Sequence, residues 1–302
     1  MIRLLTSRNQ INQLKMKTIF RFATILFIFS FSSPISAQTK SLKLENSLLW
    51  EVSGKGLKKP SYLYGTIHMI CSQDYFLSEK TRKAFDASDK LYLEINFTDP
   101  KEMSEMQQLA MGKEPLSKKL TPEQLAKLDS ILKKTTGMSV QQVDSFSLLT
   151  VLSLISMKSF GCTDLKFYEM EFSDTAKKRN VSISGLETVK SQFEILENAY
   201  TNDEILKLLE ESTSEESEEL VTAYKNENVD SMYALTTDEK FTSEKTKKQI
   251  LDNRNVKWVK AMPELMKQNG VFFAVGAGHL GGEYGVVNLL RKEGYTVKPI
   301  MN

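Results

Sequence analysis

Histidine and cysteine are almost missing from this chain of 302 residues, which has two of each. Two cysteines exclude a disulfide-dense scaffold and a four-cysteine zinc site. Charge of one sign is missing as well: Lys and Arg number 40, Asp and Glu 38, for a net of +2. That balance removes the electrostatic case for a nucleic-acid or anionic-membrane partner, which needs a basic stripe. Glycine (14) and proline (7) are sparse while 41% of the residues are hydrophobic, so the composition is globular rather than disordered or fibrous. There is no H-E-x-x-H, G-x-S-x-G or Walker A motif, which leaves the common zinc proteases, serine hydrolases and NTPases unsupported.

The longest apolar run is short and sits near the start. Lys15, Lys17 and Arg21 lead into FATILFIFSF (22–31), and SSPISA ends at Ala37. A basic lead, a short apolar core and a small residue at the end form a signal peptide, expected over 1–37. A permanent membrane anchor is the alternative, but it needs about 20 apolar residues. Met16 opens a more usual leader, which makes 1–15 a candidate mis-assigned start. The expectation is a mature domain over 38–302, periplasmic or secreted, with no stable transmembrane anchor. In an oxidising compartment Cys71 and Cys162 are expected to pair, with two reduced, buried thiols as the alternative.

Apolar runs at 48–54, 61–67, 90–97, 180–187, 271–278 and 295–300 read as strands. Helical composition fills 77–88, 101–112, 121–136, 143–159, 166–178, 188–211, 215–235, 243–268 and 284–293. Alternation of the two predicts an α/β fold with a mixed, mostly parallel sheet, the 48–67 hairpin supplying the antiparallel part. A largely helical insertion interrupts the order of the strands. The acidic run at 210–220 reads as a solvated helix surface or linker.

Both histidines close a Gly-x-x-His tetrapeptide after an apolar strand: Gly65 to His68 and Gly276 to His279. In open α/β sheets ligands gather beyond the carboxyl ends of strands. Two imidazoles brought to that edge suit a shared first-row metal ion, the alternative being two unrelated core histidines. Glu94 at the end of KLYLE and Glu187 in SGLET bring carboxylates to the same edge. The structural alternatives are a strand-end salt bridge for Glu94 and a helix N-terminal carboxylate for Glu187. GAGHLG (276–281) also matches a dinucleotide fingerprint, but the acid expected about 20 residues later is missing, and that reading is rejected. Arg254 and Trp258 stand four apart on one helix, so the guanidinium can lie on the indole, with Asn255 beside it.

Taken in order, SYLYGTIH, LYLEI, SGLETVKSQ, NRNVKW and FFAVGAGHLGGEYGV resemble the TraB/GumN family, which is related to the Tiki proteins. The resemblance covers about 46–300. It implies an erythromycin-esterase or ChaN-like architecture and metal-dependent peptidase activity with manganese or cobalt, zinc being a further option. It carries the family pattern onto Gly65, His68, Glu94, Glu187, Gln192, Arg254, Asn255, Gly276 and His279. Asn96 stands where relatives often carry an acid, which removes one charge near the expected site. The expectation is an ion on His68, His279 and Glu94, with Glu187 as general base and Arg254 holding substrate or oxyanion, on a peptide or protein substrate. Spacing leaves Glu94 and Glu187 interchangeable. A non-catalytic module that binds a peptide or small ligand is the alternative.

Overall fold

Before Gly54-Lys55-Gly56 the chain alternates buried and partly exposed side chains over 50–53, after it 63–66 are all buried, and the three turn residues take φ of 90°, 47° and 75°. Such left-handed turns favour glycine and fold the chain back on itself. Strand β1 (Leu49–Ser53) therefore pairs antiparallel with β2 (Ser61–Thr66). These elements come from a computed structural model that describes residues 43–212 and 214–301. The leader-like segment 1–37 lies outside them.

A short strand β3 (Met69–Cys71) follows, then α1 (Glu79–Asp86), capped by the Ser78 hydroxyl, and β4 (Lys90–Leu93). The expected strand 90–97 stops at Leu93. Asn96 is the reason: its Oδ1 accepts from the Thr98 N–H and hydroxyl, and its amide donates to Ile183 O, which closes a turn. Helices α2 (Pro100–Ala110), α3 (Pro122–Thr135) and α4 (Leu148–Ser159) come next, with single helical turns between them. The expected helix 143–159 begins only at Leu148, where Ser147 accepts from Thr150 N.

Strand β5 (Leu165–Phe167) leaves the main sheet to pair antiparallel with β3. Helix α5 (Tyr168–Lys178) and β6 (Ser182–Gly185) follow. The expected helix 188–211 is two, α6 (Val189–Ala199) and α7 (Asn202–Glu211), because Thr201 and Glu204 form a capping box that starts a new helix. The expected 215–235 is likewise split into α8 (Ser214–Lys225) and α9 (Val229–Thr236), with Glu227 at φ 51° and Asn228 capping the second. A helix from Glu244 widens into a π turn at Lys248–Asp252 and continues as α10 (Asn253–Met266). Strand β7 (Val271–Gly276), a 3₁₀ turn at Ala277–His279, α11 (Val286–Lys292) and β8 (Thr296–Pro299) complete the described chain.

The main sheet has the order β6-β4-β7-β2-β1-β8. Neighbours β6, β4, β7 and β2 run parallel, while β1 is antiparallel to both β2 and β8. Central β7 is buried at all six positions, as expected for a parallel strand covered on both faces. Phe272, Phe273, Leu63, Leu91 and Trp50 anchor this core. A second apolar cluster lies within the helices, where Leu128, Leu132, Val151, Ile155, Leu206 and Leu209 meet. Among the described residues no helix is long and apolar enough to cross a membrane.

Candidate metal centre

Four adjacent parallel strands open onto one edge, and each delivers an ionisable side chain just past its last residue. These are Glu187 after β6, Glu94 after β4, His279 after β7 and His68 after β2. The two Gly-x-x-His motifs lie side by side because β2 and β7 pair in parallel with Thr66 opposite Gly276.

His68 adopts φ 60°, a left-handed conformation uncommon outside glycine and tied to functional sites when a structure sustains it. The start of α5 holds it there. The Tyr168 N–H donates to the His68 carbonyl at 2.9 Å, and Glu169 Oε1 lies 2.8 Å from His68 Nδ1. Glu169 Oε1 also accepts from the Thr66 hydroxyl at 2.8 Å. A carboxylate only accepts, so Nδ1 carries the proton and Nε2 faces Glu94. Although 56% of its side chain is exposed, loss of water on the packed side of the ring works against protonation, and Glu169 and then Glu94 outweigh it to raise His68 to about 9. The β3–β5 pair and the bond between Cys71 and Cys162, with Cα atoms 6.0 Å apart, tie α5 to this strand end.

Glu94 is buried and serves both sides of the site. Its Oε1 accepts from the Gly276 N–H at 2.8 Å and lies 3.9 Å from His68 Nε2 and 3.8 Å from His279 Nε2. The two imidazole nitrogens thus face one oxygen and cannot stand farther apart than those distances allow together. Its Oε2 accepts from Gln192 Nε2 at 2.9 Å and Arg254 Nη2 at 2.6 Å. Burial opposes its charge, but Arg254, the two histidines and the Gly276 N–H hold the carboxyl far below its usual range.

The π turn places Arg254. The Asn253 N–H reaches back five residues to Lys248 O, and in this widened turn Arg254 Nη1 donates to Ile250 O at 2.9 Å. The guanidinium also donates through Nε to Glu187 Oε2 at 3.0 Å and through Nη1 to His279 Nε2 at 3.1 Å, and it lies over the Trp258 ring. Asn255, one residue on, orients His279. Its Nδ2 donates to the carbonyls of His279 and Tyr284, so its Oδ1 accepts from His279 Nδ1 at 2.6 Å and Nε2 keeps its lone pair. Burial, joined by Arg254 and His68, lowers His279 to about 3 against the pull of Glu94. His279 is neutral at ordinary pH.

By residue type this set suits a divalent ion, but the arrangement is not assembled as a metal site. His279 is neutral with its lone pair turned inward, Glu94 is ionised, and Gly276 keeps the gap open. A Cβ at 276 would lie 2.9 Å from His68 Nε2 and 3.3 Å from Glu94 Oε1. The ligands are not closed around that gap, and among the described residues no trio of His, Cys, Asp or Glu is gathered at metal-binding spacing. Arg254 Nη1 holds the lone pair that an ion on His279 would need. The side chain of Glu187 is fully enclosed with its Oε2 bound to Arg254, and among the described residues its Oε1 has no partner and no hydrogen bond joins it to either imidazole.

The other residues singled out in the sequence have distinct places. Gly65 serves packing, since a Cβ there would meet Leu280 Cδ1 at 2.7 Å and Ala277 at 3.0 Å. Asn96 forms its turn without a hydrogen bond to the site. Glu169 and Thr66 belong to the site and were not singled out. Nothing local distinguishes Glu169 from the other acids at helix starts, because the β3–β5 pairing is what brings it to His68.

The fold and site define an α/β protein in which parallel strand ends gather two imidazoles and two carboxylates around one buried arginine. The chain belongs to the TraB/PrgY/gumN family, whose model matches residues 48–299. It is 24% identical to the metalloprotease TIKI2 of Xenopus tropicalis over 86% of this chain and 61% of that protein. It is 25% identical to the human metalloprotease TIKI1 over 84% of this chain and 62% of that protein. The chain thus spans about three fifths of the length of these relatives.

Proposed function

We propose that this chain is an exported metal-dependent peptidase whose divalent ion is held by His68, His279 and Glu94. One observation carries the reading: two imidazoles from matched motifs on paired strands face a single oxygen of a buried, ionised carboxylate across a gap that a glycine leaves open. The names of the TIKI relatives support the reaction class. When bound, an ion of the manganese, cobalt or zinc type supplies Lewis-acid activation of water and of a peptide carbonyl.

The chain's own residues prepare that chemistry. Asn255 holds His279 in the tautomer that presents Nε2, and Glu169 turns the His68 Nε2 toward Glu94, where it must shed its proton to take an ion. Arg254 offsets the charge of Glu94 and Glu187, and the Nη1 N–H now on His279 would become a donor for a substrate oxygen once an ion took that lone pair. Glu187 is assigned the role of general base through Oε1, which accepts no hydrogen bond among the described residues. Export, to the periplasm or outside the cell, rests on the leader-like sequence and on the Cys71–Cys162 bridge, which persists in oxidising compartments.

A second reading, a peptide- or small-ligand-binding module without turnover, draws on Arg254 occupying the His279 lone pair. Hydrolysis of a peptide library by chelated and by manganese-, cobalt- or zinc-supplied protein separates the two. Metal-restored cleavage that disappears in His279→Ala supports the peptidase. Cleavage by none of the loaded forms leaves the binding module.

A further inference from the structure

An apolar groove adjoins the site where the main sheet meets the helical insertion. It has a volume of about 220 Å³ and no charged side chain in its lining. Ile95 and Phe97 come from the turn after β4, Met106 from α2, Leu149 from α4, and Val189 and Phe193 from α6. Water bears directly on this wall, since Met106 is 36% exposed and Phe97, Leu149 and Phe193 are only half-buried. The Thr150 and Ser153 hydroxyls in the lining donate to the carbonyls of Ala110 and Leu149.

Continuity with the site identifies the occupant. Ile95 directly follows Glu94, and Val189 lies two residues past Glu187. Gln192 belongs to both places: it lines the groove, and its Nε2 donates to the Glu94 oxygen opposite the imidazoles. That bond orients the amide, and among the described residues its carbonyl oxygen accepts no hydrogen bond. The cavity is smaller than the ~300–1,000 Å³ of a drug-sized pocket, a scale that suits one or two side chains.

We infer that this groove receives a large apolar side chain of the peptide substrate beside the cleaved bond, making the protein selective for peptides with a Leu-, Met- or Phe-type residue there. This rests on the peptidase reading, which gives the occupant its role. Selectivity arises because a charged side chain would lose its water against a wall that offers no compensating charge. The lining methionine lets the groove adapt among apolar shapes.

The test is calorimetric binding of two blocked pentapeptides, acetyl-AAFAA-amide and acetyl-AADAA-amide, to full-length His68→Ala protein, whose background prevents turnover. The Phe peptide is expected to bind at least about tenfold more tightly, in the range that small changes in apolar contact supply. Met106→Glu, at the exposed rim, and Leu149→Asp, deeper in, should each abolish most of that preference, with thermal melts confirming the fold. Equal binding of the two peptides, or an undiminished preference in well-folded Met106→Glu, overturns the inference. Metal content of the wild type is measured alongside. Preference without metal leaves the groove standing and removes the peptidase reading, whereas metal without preference removes the groove alone.

Discussion

The two motif glycines look equivalent in sequence, yet substitution of each by alanine should have opposite effects. Gly276 has φ −54° and ψ 135°, a conformation alanine adopts without strain. Its new Cβ would lie 2.9 Å from His68 Nε2, closer than such contacts normally come, and 3.3 Å from Glu94 Oε1. The His68 ring can give way, since 56% of its side chain is exposed, so the cost to stability stays below about 1 kcal/mol, within about 4 °C of melting temperature for this size. The displaced ring loses its alignment with Glu94, and affinity for a divalent ion should fall about 10–100-fold, as when other supports of a ligand are removed. Gly65→Ala instead drives a Cβ to 2.7 Å from Leu280 Cδ1 and 3.0 Å from Ala277, inside packed core. Overpacking there should cost about 1–3 kcal/mol, with metal affinity nearly kept in the folded fraction. The assay is thermal unfolding beside metal titration for both variants. Wild-type affinity in Gly276→Ala would refute the assignment of the gap, as would selective loss of affinity in Gly65→Ala.

Three further outcomes follow from the same geometry. Removing Arg254 (Arg254→Met) leaves Glu94 and Glu187 buried without their counter-charge and should destabilise the fold by about 3–5 kcal/mol in chemical denaturation, with Arg254→Lys only partly restoring it. Below about pH 9 His68 is protonated and must lose that proton to bind an ion, whereas His279, held near 3, is already neutral. Apparent metal affinity should therefore fall up to tenfold for each pH unit from 8 down to 5, with calorimetry in two buffers reading about one proton released. Opening the 91-residue separation between Cys71 and Cys162 by Cys162→Ser should cost about 4–5 kcal/mol in the chain-entropy model, seen as a lower denaturation midpoint.

Strand ends were the legible part of this site. His68, Glu94, Glu187 and His279 each follow an apolar run, and parallel pairing takes such positions to one edge. The mixed sheet was legible for a related reason, because a turn-rich hairpin followed by strands spaced by helices leaves few alternatives. What the pattern did not carry was set by side-chain hydrogen bonds or by distant pairing. Asn96 ends β4 through its own turn, Thr201 and Asn228 restart helices that composition alone would continue, and the π turn before Arg254 leaves no periodic signature. Glu169 reaches His68 only because β3 pairs with β5, beside the bridge between Cys71 and Cys162 that spans 91 residues of sequence.

Anomalous diffraction from crystals soaked in cobalt or manganese tests the central claim most directly. The account predicts one peak within ligand distance of Nε2 of both His68 and His279 and of Glu94 Oε1, with Arg254 Nη1 withdrawn from His279, and no such peak in His279→Ala crystals. A soaked wild-type crystal with Arg254 still on His279 and no peak in the gap, or with a peak bound elsewhere, would contradict it.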